Sequence, residues 1–193
     1  MKVAKQFIFY FLSVALFPLF LLYLLLSAVT SEKDALFQSF CQLLSLVPGK
    51  LGSFCRICFY KWLCTDVDLD IFVGFGVLLS QLDIDIREGA YIGPQSNLGS
   101  CQIGRNSLLG SGVHVLSGKN QHGFEDIRVP IKDQKGALTK VRVGENCWIG
   151  NGAIVMADLG DNTIVAAGSV VTKSFPANSI VGGNPAVLIK TRA

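Results

Sequence analysis

The segment VGENCWIGNGAIV at residues 143–155 decides the fold, because its aliphatic residues return every six positions at Val143, Ile149 and Val155. A period of six fits neither an amphipathic helix nor an alternating strand. It is the signature of a parallel β-helix, in which each unit supplies one short strand and one corner. The rhythm starts near Ile86 and is interrupted once, and its aliphatic positions are Ile86, Ile92, Leu98, Ile103, Leu109, Val115, Val143, Ile149, Val155, Leu159, Val165 and Val171.

The repeat assigns a direction to each side chain. The aliphatic residue points into the coil, and a small residue four positions later fills a tight corner next to it. Cys147 occupies one of these small slots and is predicted to be part of the core, whereas His114 directly precedes Val115 and points outward. The shorter spacings at 98–103 and 155–159 are interpreted as small deletions at corners.

Residues 7–29 precede the repeat and carry no charged side chain. At about 1.5 Å per residue, a helix of this length spans the roughly 30 Å of a bilayer core. We therefore predict a membrane anchor helix over residues 1–31, in which Pro18 is compatible with a kink or a re-entrant segment. A signal peptide is the alternative, but its apolar part is usually only about 7–15 residues long.

Residues 32–64 are predicted to form amphipathic helices. The stretch 51–64 interleaves aromatic residues with Arg56 and Lys61, which suits a helix lying among lipid headgroups. A helix packed as a cap on the end of the β-helix is an equally supported interpretation, because terminal coils need a cover. The β-helix itself is predicted to occupy residues 65–193.

Composition argues against several classes of protein. The formal net charge is only +3, and without a basic cluster on the repeat domain a nucleic-acid partner is not expected. Cys55 and Cys58 form a C-x-x-C pair without the second pair that a zinc site needs. No metal is expected, since a β-helix carbonic anhydrase requires three histidines and this chain has two.

The rhythm is lost over residues 116–142, which are rich in glycine and charged residues and too long for a corner. This segment is predicted to leave the β-helix as a protruding loop, and long loops on rigid scaffolds are often functional. His122 lies in it, and Glu125 and Asp126 follow closely enough to orient its ring. His114, the other histidine, is the weaker candidate because its slot lies on a strand.

Residues 84–192 resemble the hexapeptide-repeat acyltransferases, and within them the xenobiotic and polysaccharide O-acetyltransferase branch. The segments that carry the resemblance are 109–122, 143–153, 165–173 and 180–186. The resemblance implies a left-handed parallel β-helix and a homotrimer. It also implies active sites in the clefts between neighbouring subunits, with the loop of one subunit reaching toward the next.

The resemblance also implies the chemistry of the site. His122, with Glu125 beside it, is expected to act as the general base that takes the proton of an acceptor hydroxyl as it attacks the thioester of acetyl-CoA. The residues expected along acetyl-CoA are Trp148, Asn151, Ala167, Gly168, Thr172, Lys173 and Lys190. Val187 stands where the family often has Arg or Lys, so one phosphate contact of the family is not matched.

These features predict an acetyl-CoA-dependent O-acetyltransferase that modifies a saccharide, either a surface polysaccharide or a lipid-linked sugar. The apolar first helix places it at a bacterial inner membrane, with the β-helix facing the cytoplasm where acetyl-CoA is found. Two alternatives stay open: an N-acetyltransferase acting on an amino sugar or small amine, and a non-catalytic β-helix scaffold in a membrane complex.

Overall fold

Three helices form the amino-terminal part of the structure, a computed structural model that describes residues 3–192. The first two residues of the predicted anchor and Ala193 of the predicted β-helix lie outside the described residues. The helices are α1 (Val3–Ser27), α2 (Lys33–Ser45) and α3 (Gly49–Leu63). Pro18 lies inside α1, which is one continuous helix. Pro48, in extended conformation, separates α2 from α3.

Short strands make up the rest of the described chain. In chain order they are β1 (Asp66–Val67), β2 (Phe72–Val73), β3 (Leu78–Leu79), β4 (Ile84–Ile86), β5 (Tyr91–Ile92), β6 (Asn97–Leu98), β7 (Cys101–Ile103), β8 (Leu108–Leu109), β9 (His114–Val115), β10 (Val141–Val143), β11 (Trp148–Ile149), β12 (Ile154–Val155), β13 (Ile164–Val165), β14 (Val170–Val171), β15 (Ser179–Gly183) and β16 (Ala186–Thr191).

The strands form three sheets, which are the three faces of a β-helix. Face A has the order β1-β4-β7-β10, face B runs β2-β5-β8-β11-β13-β15-β16, and face C runs β3-β6-β9-β12-β14. Neighbouring coils pair in parallel, as in the alignment of Ile149 with both Leu109 and Val165. Only β16 runs antiparallel, against β15. The prediction of a mainly β, parallel β-helix with amino-terminal helices is confirmed.

The core of the β-helix is the stack of aliphatic residues that the period of six predicts. All twelve are buried, and none exposes more than 2% of its surface. Fully burying one such side chain contributes roughly 1.5–3 kcal/mol, so the stack is the main stabilising element of the coils. Cys147, at 2% exposure, confirms the small inward slot.

The β-helix begins one coil earlier than the predicted start of the rhythm at Ile86. Val67, Val73 and Leu79 are spaced by six and fully buried, and they supply the inward residues of β1, β2 and β3. The next inward residue of face A, Ile86, follows Leu79 by seven positions instead of six. Because of this longer corner, the first coil does not continue the strict period of six residues.

Helices α2 and α3 cover the end of the first coil, α2 against β3 and α3 against β1 and β2. The basic residue Arg56, expected from sequence to suit a headgroup position, is instead fully buried. Its guanidinium donates to the carbonyl oxygens of Leu44 (2.9 Å), Val47 (2.9 Å) and Val73 (3.0 Å). The last carbonyls of a helix lack partners within it, and at the end of α2 Arg56 supplies donors in addition to the amides of Val47 and Gly76. Helix α3 thus packs as a cap on the first coil, and its position among lipid headgroups stays a prediction.

Helix α1 lies across the outer side of α2 and α3. The Phe9 ring meets Phe54 edge-on with centroids 5.2 Å apart, and Tyr23 meets Phe40 in the same way at 5.4 Å. The part Lys5–Ser27 is long and apolar enough to cross a membrane. One side of α1 thus completes the packing of the cap, and the other side remains exposed.

Candidate functional site

The long loop leaves the β-helix after β9 and returns at β10, with a 3₁₀ turn at Ile131–Asp133. The return comes two residues before the predicted end at 142, because Val141 already pairs with Cys101 on face A. The two legs of the loop run side by side. The Ala137 amide donates to the Asn120 carbonyl at 2.7 Å, and the Thr139 amide to the Ser117 carbonyl at 2.9 Å.

The backbone around His122 is held closely by the opposite leg. A Cβ atom on Gly136 would lie 2.0 Å from the Gln121 carbonyl oxygen and 2.5 Å from the His122 nitrogen. Real Cβ atoms do not approach backbone that closely, so only glycine allows the legs to meet here. His122 is an exposed residue. It follows Asn120, which is at the base of the loop, by two positions.

Gln134 organises the tip of the loop. Its Nε2 donates to the carbonyl oxygens of Asp126 and Val129, both at 2.8 Å, and its Oε1 accepts from the Asp126 amide at 3.2 Å. The Asp126 carboxylate accepts two bonds of 3.1 Å from the Arg128 guanidinium, which lowers the pKa of Asp126. The tip is thus fixed by its own side chains.

Neither predicted acidic partner bonds to the His122 ring. The Asp126 carboxylate is bound by Arg128, and Glu125 Oε2 accepts from the Phe124 amide at 3.1 Å. Within residues 3–192, the structure gives the His122 imidazole no hydrogen bond to Glu125 or Asp126. The catalytic role of Glu125 stays a prediction, and in this arrangement it does not orient the ring.

Lys140 joins the returning leg of the loop to the coils through ion pairs with two aspartates. Its Nζ lies 2.5 Å from Asp83 Oδ1 and 2.9 Å from Asp85 Oδ2, and the Ser100 hydroxyl donates to the other Asp83 oxygen at 2.9 Å. Hydrogen bonding from Lys140 lowers the pKa of Asp83. Burial alone would lower the pKa of Lys140, but its bonds to both aspartates outweigh that effect and raise it.

A cavity of about 380 Å³ lies at the base of the loop. The loop contributes Gly118, Lys119, Asn120 and Thr139, the strand after it contributes Val141, and the corners between faces C and A contribute Met156, Ala157, Asp158, Thr172, Lys173 and Ser174. Two of the predicted cofactor residues, Thr172 and Lys173, are therefore in this cavity. Two lysines against one aspartate give it a positive charge that suits phosphate groups.

The other predicted cofactor residues lie elsewhere on the same chain. Asn151, Ala167 and Gly168 are at the corners between faces B and C, where the Gly168 amide donates to the Asn151 carbonyl at 2.9 Å. Gly168 has φ +68°, and a Cβ there would meet no atom within 4 Å, so this corner is open to a ligand. Trp148 is 55% exposed on face B. Lys190 is on β16, opposite Ile180.

Within one chain, the predicted cofactor residues thus lie at both edges of face C and on face B. His122 and Lys173 are associated with one edge, and Asn151 and Ala167 with the other. His114 lies between the two edges, half-buried on β9, in register with Asn97 and Ile154.

Only two of the eleven residues that line the loop-base cavity were predicted as site residues, and those that were missed include Lys119, Asn120 and Asp158. The repeat register contains the signal for the last of them. Because Val155 pairs with Val171, the three residues after each strand occupy equivalent corners, and Asp158 stacks on Ser174. Lys119 and Asn120 carry no such signal, since the path of the loop legs follows from tertiary contacts.

The cysteines do not offer a nucleophile. All six are buried and free. Burial raises the pKa of Cys41 and of Cys101 to about 12, and that of Cys58 to about 11. The thiolate is the reactive form of cysteine, so these thiols are inert near neutral pH. Among the described residues, no group of three or more His, Cys, Asp or Glu side chains is placed to hold a metal ion.

Residues 140–173 match the family described as the hexapeptide repeat of succinyl-transferase. No curated protein matches the chain in sequence. The matched segment covers β10 to β14, the coils that follow the loop. The family match and the observed coils thus identify the same unit of structure.

Solved structures share the fold. The maltose O-acetyltransferase from Clostridium difficile 630 is 24% identical with a TM-score of 0.63, over 83% of this chain and 89% of that one. The hexapeptide-repeat containing acetyltransferase VCA0836 from Vibrio cholerae is 19% identical with a TM-score of 0.65, over 84% and 94%.

A third structure of this fold was solved with coenzyme A. It is AntD, an N-acyltransferase from Bacillus cereus, in complex with dTDP-4-amino-4,6-dideoxyglucose and coenzyme A. It is 16% identical with a TM-score of 0.54, over 68% of this chain and 78% of that one. The chain therefore carries the hexapeptide repeat and has the fold of the hexapeptide-repeat acetyltransferases, as its sequence resemblance predicted.

Proposed function

We propose that this protein transfers an acetyl group from acetyl-CoA to a hydroxyl group of a saccharide. The observation that carries the proposal is the positively charged cavity at the loop base, where the segment leading to His122 meets Thr172 and Lys173. The proposal is supported by the start of the His122 loop at a cavity that two lysines line. The O- and N-acyltransferases of similar fold support transfer from acyl-CoA in general.

In the proposed reaction His122 acts as general base. It accepts the proton of the acceptor hydroxyl while the oxygen attacks the thioester carbonyl, and the coenzyme A thiolate then leaves and takes up a proton. A general base of this kind contributes about 10²–10⁴-fold in rate. Since every cysteine is buried and free, no thiol is available for a covalent enzyme intermediate. Direct transfer between the two bound substrates is the simpler path.

Lys119 and Lys173 are proposed to bind the phosphates of acetyl-CoA. Both line the loop-base cavity, and ammonium groups form strong charge-assisted hydrogen bonds with phosphate oxygens. The exposed corner at Asn151 and Gly168 is proposed to hold the pantetheine arm through its backbone groups. Gly168 leaves that corner free of side-chain atoms.

We also propose that the protein is a homotrimer. The outward positions of face B are all large and apolar, and they are Phe72, Tyr91, Leu108, Trp148, Ile164 and Ile180. The outward positions of face A are polar, and they are Asp66, Asp85, Gln102 and Arg142. A continuous apolar stripe on one face favours burial against other subunits. A cleft between subunits would bring the Asn151 corner of one chain to the loop of the next.

The test is an acceptor screen with the purified full-length protein in mild detergent. Acetyl-CoA is mixed with neutral hexoses, disaccharides and amino sugars, and products are identified by mass spectrometry. The proposal expects acetate esters on sugar hydroxyls. Exclusive formation of amides would establish the N-acetyltransferase alternative. Folded trimer that transfers acetyl groups to no acceptor would favour a scaffold and overturn the proposal.

A further inference from the structure

Helix α1 is held at the first coil of the β-helix at its start, and helix α2, which follows it, is held there as well. At the start of α1, Lys5 forms an ion pair with Asp70, between β1 and β2. Shortly after its end, the Asp34 carboxylate accepts from the Leu82 amide at 2.9 Å, and the Gln38 side chain donates to the Ser80 carbonyl at 3.0 Å. A helix of 25 residues is about 37 Å long, and here it lies along the cap instead of projecting from it.

The contacts between α1 and the cap continue along the helix. Phe9 packs on Phe54 near the start, Phe20 lies 4.9 Å from Trp62 between ring centroids, and Tyr23 packs on Phe40 near the end. A helix that crossed a bilayer while the β-helix stayed on one side would have to give up these contacts and the ion pair between Lys5 and Asp70.

The outer face of α1 is broad and uncharged. Its exposed residues are Phe7, Ile8, Tyr10, Phe11, Val14, Phe17, Leu21, Leu22, Leu24, Leu25 and Leu26. At about 100° per residue these positions cover about 200° of the helix circumference, whereas the buried stripe covers about 100°. One helix of a partner protein would contact only part of such a convex face. A fluid phase of acyl chains surrounds all of it.

The charge of the helical layer does not oppose a membrane surface. Its lysines are Lys5, Lys33, Lys50 and Lys61, its acidic residues are Glu32 and Asp34, and Arg56 is buried. Lys5 and Lys61 pair with Asp70 and Asp66, so the layer has little net charge and its apolar area is what favours the membrane. The backbone of α1 satisfies its own hydrogen bonds, so its apolar face can enter the acyl region.

We propose that α1 lies in the plane of one leaflet, with its exposed face among the acyl chains and its buried face on the cap. The protein is then attached to a single leaflet by its helical layer, and both ends of α1 remain on the side of the β-helix. This arrangement replaces the spanning anchor expected from composition. It does not depend on the proposed acetyl transfer, because its tests require no turnover.

The first test measures binding to vesicles of phosphatidylcholine with 30% phosphatidylglycerol by flotation. The full-length protein is expected to float with the vesicles. Leu25→Glu, on the outer face of α1, is expected to weaken partitioning at least about tenfold, because buried apolar area drives such binding. Ile127→Glu, at the almost fully exposed loop tip, is the matched control and is expected to float as before. Protein that stays in solution as a dimer would overturn the proposal in favour of a second copy.

The second test establishes which side of the membrane the start of α1 occupies. Gln6→Cys and Glu88→Cys are labelled separately with a membrane-impermeant maleimide in right-side-out and inside-out inner-membrane vesicles. Gln6 lies near the start of α1, which a spanning helix would carry to the opposite side, Glu88 lies on the β-helix, and both are exposed. The unchanged chain, whose six thiols are buried, gives the background. Labelling of both sites from the same side is expected. Labelling from opposite sides would show a spanning helix and overturn the proposal.

Discussion

Lys140 Nζ lies 2.9 Å from Asp85 Oδ2 and so joins the returning leg of the loop to the second coil. Asp85 is only 8% exposed, and its other oxygen has no hydrogen-bond partner among the described residues. The loop that carries His122 is therefore anchored at its base through one lysine. A charged anchor of this kind fixes where the loop starts without packing its tip.

Replacing Lys140 by methionine is expected to lower the free energy of unfolding by about 2 kcal/mol, because it leaves a buried carboxylate without its counter-charge. Urea unfolding of the full-length protein in detergent measures the change. Lys140→Arg keeps the charge and is expected to lose less than half as much. Equal losses for the two variants would show that packing of the side chain, and not its charge, is what matters.

The ion pairs of Lys140 with Asp83 and Asp85 also predict how the free energy of unfolding depends on pH. The pKa of Asp83 is lowered in the folded protein, so its contribution is complete above the unfolded value of about 3.8 and is lost as the pH falls through the folded value. The pKa of Lys140 is raised, so its contribution is complete below about 10.5 and is lost as the pH rises through the folded value. The stability of Lys140→Met should no longer fall with rising pH through the titration of Lys140, and its loss at acid pH should be smaller but still present, because the Ser100 hydroxyl still bonds to Asp83. Curves that parallel those of the unchanged chain would contradict the assignment.

Arg56 is expected to be the most important polar residue of the cap. Arg56→Met removes a charged donor from the buried carbonyls of Leu44, Val47 and Val73, and it should lower the free energy of unfolding by about 3 kcal/mol or more. Lys50→Met, an exposed change on the same helix, is the control and should cost under about 0.5 kcal/mol. Similar losses in the two variants would contradict the capping role of Arg56.

Lys173 is expected to act on phosphate and not on the reacting carbonyl. Lys173→Ala should raise KM for acetyl-CoA about tenfold and change kcat less than twofold, as expected for loss of one charged contact. S-acetyl-pantetheine lacks the phosphates of the nucleotide part, so kcat/KM with this donor should be the same for both proteins. A parallel loss with both donors would remove Lys173 from the phosphate site.

The period of six was sufficient to predict the β-helix, because each aliphatic position is fixed by the geometry of the coil alone. The strict period of six did not include Val67, Val73 and Leu79, because the corner before Ile86 is one residue longer. Arg56 could not be placed from sequence, since its partner carbonyls come from α2 and β2, which meet it only through tertiary packing. The same reason applies to α1, whose length and apolarity can be read from the sequence and whose contacts with α2 and α3 cannot.

The candidate site was predicted less completely than the fold. The break in the repeat identified the loop and His122, and the register assigned Cys147 to the core. The environment of His122 depends on contacts between the two legs of the loop, such as the close approach of Gly136 to the backbone of Gln121 and His122. No local pattern encodes these contacts, and the expected orienting role of the nearby acids has no counterpart in the observed hydrogen bonds.

The most direct test of the central claim compares the two histidines of the chain. His122→Ala and His114→Ala are assayed for acetyl transfer from acetyl-CoA to the best hydroxyl acceptor, with trimer content and thermal unfolding as controls for folding. If His122 is the general base, its loss should lower kcat about 10²–10⁴-fold, and loss of His114 should lower it less than about threefold. Activity retained by His122→Ala, or a larger loss in His114→Ala, would contradict the account.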